Sequence, residues 1–129
     1  MAFMAITSPR LRARLDGLGV LLSGLCAVHC IAGIIVVAGL GLGGGLLLAP
    51  EIHRVGLVLA TIVAAFAIGL GTLRHRRPMP SIVAVGGLCC MAAALLAGHG
   101  VEEAVLTVAG VVLVAAGHLL NLRPSLPQA

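Results

Sequence analysis

Long runs of Gly, Ala, Val, Leu and Ile alternate with short breaks that carry nearly all the charge, prolines and glycine clusters. The runs number four, each close to the ~20 residues that cross the hydrocarbon core of a bilayer. They predict an all-α fold, a four-helix transmembrane bundle with helices at about 17–39, 55–73, 81–98 and 103–121. An Arg-rich N-terminus (1–15) precedes them and a short tail (124–129) follows. Glycine costs roughly 1 kcal/mol in a helix relative to Ala, so the first helix should end in the Gly39 to Gly45 cluster. Pro78, Pro80 and Pro124 mark the later breaks. Short connections make sequential helices antiparallel neighbours.

The start of the chain mimics the basic region of a signal peptide, yet the apolar run after Asp16 is too long and no cleavage-site pattern leads into a polar chain. Leu25 and His29, the residues before Cys26 and Cys30, are also not the small residue expected ahead of a lipidated cysteine. The first segment therefore reads as a retained membrane helix.

Composition sharpens this reading. Of 129 residues, 60% are apolar and 9% charged, whereas a soluble domain keeps about a quarter of its residues charged. Nothing resembles a phosphate-binding loop or a hydrolase triad, so the chain is not expected to be an enzyme. The net charge of +4 comes from arginine clusters beside apolar segments, which points to lipid headgroups and not to nucleic acid. With the N-terminus inside, seven arginines fall on the cytoplasmic side and only Arg54 on the other. The positive-inside rule then places both termini in the cytoplasm.

The candidate chemistry begins with Cys26-Ala-Val-His29-Cys30 in the first helix. At about 100° per residue, His29 falls near 300° and Cys30 near 40° from Cys26, so the three share one face. The two cysteines at i and i+4 stand roughly 5–6 Å apart, close enough to hold one soft cation such as Cu(I), Zn(II) or Hg(II) near the membrane midplane. Metal binding must expel the thiol protons, and His29 is placed to receive one. The same face, however, is a small-residue seam of Gly19, Ser23, Cys26, Cys30 and Gly33, on which a cysteine also serves simply to let two helices approach.

Cys89 and Cys90 lie in the third helix at a depth comparable to that of the first pair. A seam of Gly86, Cys90, Ala93 and Ala97 points to Cys90 as the inward thiol of the two, with packing and ligand roles about equally supported. Between the third and fourth helices, His99, Glu102 and Glu103 form an acidic mouth that could gather cations, although glutamates are ordinary at a helix N-terminus. His118 and Asn121 are ordinary residues near a helix C-terminus.

The first-helix motif Leu25-Cys-Ala-Val-His-Cys30, the Arg-rich turn after the second helix and the closing Glu102-Glu-Ala with Gly117-His-Leu-Leu-Asn-Leu-Arg123 resemble the MerC family of inner-membrane mercuric-ion transporters, over about residues 15 to 123. The resemblance implies a bacterial inner-membrane protein that passes Hg(II) inward to cytoplasmic thiols or a mercuric reductase. Hg(II) would be its cargo, with no permanently bound cofactor. It also implies that Cys26 and Cys30 take the family's metal-binding role. Longer members resemble one another in a second cysteine pair near the C-terminus; here no cysteine follows Cys90. The competing readings are a copper-handling protein and a small membrane assembly protein whose cysteines only pack. The small-residue seams would equally serve a homo-oligomer.

Overall fold

The computed structural model describes residues 8–41, 45, 49–98 and 100–123. Within them, α1 covers Pro9–Ile34 and continues through a π-helical turn at Ile35–Gly39. Helix α2 covers Pro50–Ala64, passes through a second π-helical turn at Ala65–Gly69 and resumes over Leu70–His75. Helix α3 covers Met79–Leu96 and α4 covers Val101–Leu122. Among the described residues there is no strand. All four helices are long and apolar enough to cross a membrane.

Helices α1 and α2 begin well ahead of where hydropathy predicts, and proline explains both. Pro9 and Pro50 occupy first-turn positions, where a missing N–H costs nothing. At α1 the Ser8 hydroxyl also accepts a hydrogen bond from the Leu11 N–H at 3.2 Å. Arg10, Arg12 and Arg14 therefore ride on helix, as does His53.

Helix α1 is turned inside out relative to a helix of a soluble protein. In α1 the buried positions are Asp16, Gly19, Ser23, Cys30 and Gly33, all small or polar. Leu18, Leu21, Leu25 and Val28, by contrast, are more than half exposed. Exposing each such side chain to water would cost about 1.5–3 kcal/mol, a penalty that vanishes in hydrocarbon. Lipid is thus the solvent this surface fits, and close approach of backbones supplies the packing.

The antiparallel pair α3–α4 makes the closest contact. A methyl added at Gly87 would lie 2.5 Å from the Gly110 carbonyl oxygen, so these two helices touch backbone to backbone. That contact sets the rotation of α3. Its buried face is Pro80, Ala84, Gly87, Met91 and Ala94, while Gly86, Ala93 and Ala97 are exposed. The expected inward seam through Cys90 is therefore displaced by one position, and Met91 is the residue turned into the core. Helix α1 packs chiefly on α4 and then on α2, which closes the bundle.

Candidate metal site

In α1 the seam read from the sequence does face the interior. Cys30 is 2% exposed and Cys26 is half-buried. Cys30 does not lie in the middle of the bundle, however. Its Sγ is 3.5 Å from Nε2 of His53, a residue in the first turn of α2. On the other side of that imidazole, Nδ1 lies 3.2 Å from Oε1 of Glu103, in the first turn of α4. The carboxylate sits off the axis of the ring N–H, so the contact is an ion-pair approach and not an in-line hydrogen bond. Three helices thus bring a thiol, an imidazole and a carboxylate together at the end of the bundle opposite the arginine clusters.

A cavity of about 130 Å³ adjoins Cys30, His53 and Glu103. A larger one of about 520 Å³ adjoins Cys26, His29, His53 and Met91. The Nε2 atom of His29 is buried without a hydrogen-bond partner, and the His29 and His53 rings meet edge-on with centroids 6.0 Å apart. A buried polar nitrogen left unpaired is costly and calls for an explanation such as a ligand. The donors around the larger cavity are a thiol, two imidazoles and a thioether, a set suited to soft and borderline cations. Among the described residues, no three His, Cys, Asp or Glu side chains converge to hold a metal ion. The arrangement offers pairs of donors in succession and no closed cage.

The third-helix cysteines stand apart from this. Cys89 is exposed and Cys90 half-buried, and neither lines these two cavities. The third-helix residue that lines the same cavity as Cys26 is Met91. Of the two glutamates at the start of α4, Glu102 is exposed as a helix-start residue would be, whereas Glu103 is buried. His99 lies outside the described residues.

A second polar cluster sits at the arginine end. His118 is fully buried and its Nδ1 is 2.7 Å from Oδ1 of Asp16, itself 2% exposed. Asn121 donates through Nδ2 to Asp16 Oδ2 at 2.8 Å and to the Ala67 carbonyl at 3.1 Å, inside the π-helical turn of α2. One carboxylate thus ties the start of α1 to the end of α4, and through Asn121 to α2. Burying it without these partners would cost several kcal/mol. The His118 ring lies directly against Gly19, where any side chain would overlap it. Beside the cluster, Arg12, Arg77, Arg123 and Asn121 line a polar cavity of about 220 Å³.

His53, Met91 and the Asp16 partnership are the features of the candidate site and its surroundings that sequence reasoning missed. An available signal was Pro50: read as a helix start, it places His53 inside an apolar span, where an ionisable side chain is expensive and usually functional.

Apolar residues outside, with thiol, imidazole, thioether and carboxylate groups turned inward across helix boundaries, define a multi-pass membrane protein with soft-metal donors inside its bundle. The sequence model of the MerC mercury resistance protein family matches residues 16–123. The chain belongs to the MerC family, a family of membrane proteins related to mercury resistance. No curated protein and no solved structure matched the chain.

Proposed function

We propose that the protein carries mercuric ion across the bacterial inner membrane into the cytoplasm by thiolate exchange at Cys26 and Cys30. The observation that carries this reading is the placement of both thiols along the interior face of α1, beside cavities that also hold His29, His53 and Met91. An ion arriving as a bis-thiolate complex is attacked by one cysteine sulfur. A Hg–S bond to the protein forms, the bond to the incoming thiolate breaks, and the thiol proton leaves with the displaced thiolate. The second cysteine repeats the exchange, and a cytoplasmic thiol or mercuric reductase removes the ion by the same chemistry. No step changes an oxidation state, and two sulfurs suffice for the cation, which suits the absence of a closed cage among the described residues.

The arginine asymmetry orients the bundle with both termini in the cytoplasm. The Cys30, His53 and Glu103 end then faces outward and the Asp16 cluster inward. The test is Hg(II) uptake in a mercury-sensitised bacterium. Cys26→Ser, Cys30→Ser and the double variant are expected to abolish uptake at unchanged membrane expression. Unchanged uptake in both single variants would overturn the mechanism.

A further inference from the structure

We infer that His53 Nε2 and Cys30 Sγ are a mixed nitrogen and sulfur ligand pair that takes the incoming cation at the outer end of the bundle, with Glu103 as the negative charge beside the imidazole. The inference deepens the transport reading and rests on it for the identity of the cation.

Three observations support it. The first is geometric. For an ion of zinc's size, with bonds of about 2.3 Å to sulfur and about 2.0 Å to nitrogen, the 3.5 Å between Sγ and Nε2 corresponds to an angle of about 109°, and a larger cation bound by the same two atoms closes it further unless they part. The thiol and imidazole are thus close enough to share one ion, with its remaining positions open for ligands the ion brings along.

The second is the state of the histidine. Metal-binding imidazoles commonly turn their other nitrogen to a carboxylate, which fixes the tautomer and raises ligand basicity. His53 Nδ1 lies 3.2 Å from Glu103 without an in-line hydrogen bond, so the carboxylate acts on the imidazole through its charge, while Nε2 meets the Cys30 thiol. The side chains of His53 and Glu103 are only 11% and 8% exposed. Burying a carboxylate at that depth is expensive, and a purely structural tie between α2 and α4 does not require the imidazole's second nitrogen to meet a thiol.

The third is position. His53 is the residue shared by the two cavities: one holds Cys30 and Glu103, the other Cys26, His29 and Met91. An ion held between Cys30 and His53 therefore stands at the boundary between the outer cavity and the one containing the second thiol. His53 can release it to Cys26 while Cys30 keeps its bond, so the ion need never be without a protein sulfur.

The experiment uses the full chain in lipid nanodiscs with Cd(II) as a spectroscopic probe. Cd(II) accepts nitrogen and sulfur together, and its NMR shift and thiolate charge-transfer absorption report which atoms bind. In a Cys26→Ser, Cys89→Ser, Cys90→Ser background, which leaves Cys30 and His53 in place, one Cd(II) with a mixed nitrogen and sulfur signature is expected. Adding His53→Gln should weaken binding at least about tenfold and remove the nitrogen signature. Glu103→Gln should weaken binding by about 10- to 100-fold while keeping both ligands. Adding His53→Cys should restore tight binding with a two-sulfur spectrum, which separates loss of a donor from loss of fold. If His53→Gln leaves affinity and spectrum unchanged, or His53→Cys fails to restore binding, the inference is overturned. Because this assay involves no transport, failure of the uptake test with an intact Cd(II) result would remove the transport mechanism and leave the ligand pair. The reverse outcome would remove the pair alone.

Discussion

A single methyl group at Gly19 should open this bundle. The imidazole of His118 lies flat against Gly19, and all three nearest atoms to an added Cβ belong to that ring. The ring has nowhere to retreat, since it is fully buried and its Nδ1 is held 2.7 Å from Asp16 Oδ1. Overpacking a tight interior costs about 1–3 kcal/mol. Swinging the ring away instead forfeits a hydrogen bond to a carboxylate, worth about 1.5–3 kcal/mol, and strands the buried acid. Some of both is required, so Gly19→Ala should destabilise the α1–α4 contact by about 3–5 kcal/mol. Gly17 and Gly24 on the same helix are the controls, because a Cβ there meets nothing within 4 Å. Alanine at either should be neutral or slightly stabilising through its better helix propensity. The chain lacks Trp and Tyr, so the assay is labelling of Cys30, 2% exposed, in a background without the other three cysteines. At about tenfold per 1.4 kcal/mol, Gly19→Ala should raise the labelling rate at least about 100-fold over Gly24→Ala when opening limits it. In a His118→Ala background the same substitution should cost less than about 1 kcal/mol, a coupling of the size expected for residues in contact. Equal labelling of Gly19→Ala and Gly24→Ala would refute the described packing.

Two further predictions accompany this one and the tests at Cys26, Cys30 and His53. Reporter fusions after Gly45, Pro78, Gly100 and Ala129 should read outside, inside, outside and inside, and an inside reading at Gly45 would overturn the orientation. Met91→Leu should slow Hg(II) uptake severalfold more than Cys89→Ser or Cys90→Ser, because Met91 lines the cavity that holds Cys26 and the two third-helix cysteines do not. Equal effects on initial uptake rates would mean that its thioether only fills space.

The inward seam of α1 was legible because faces within one helix follow from spacing at about 100° per residue. The buried face of α3 was not. Both Gly86 and Gly87 lie on small-residue stripes, and only the approach of Gly110 from α4 selects Gly87. His53 was obscured by starting α2 at Val55 instead of Pro50, which left it in a loop. Asp16 read as the polar edge of a span, although its partners lie more than 100 residues away.

What the sequence determined by itself is what depends on local chain properties. Hydropathy and length define four membrane helices, and helical periodicity puts Cys26 and Cys30 on one face. What only the tertiary structure decided is which groups meet across helices. Lipid offers almost no hydrophobic preference between one apolar face and another, so helix rotation and register follow from where glycines let backbones touch and where buried polar groups find partners. Cys30 meets His53, and His53 meets Glu103, because those contacts bring α1, α2 and α4 to one depth, a relation that no spacing within a single helix encodes.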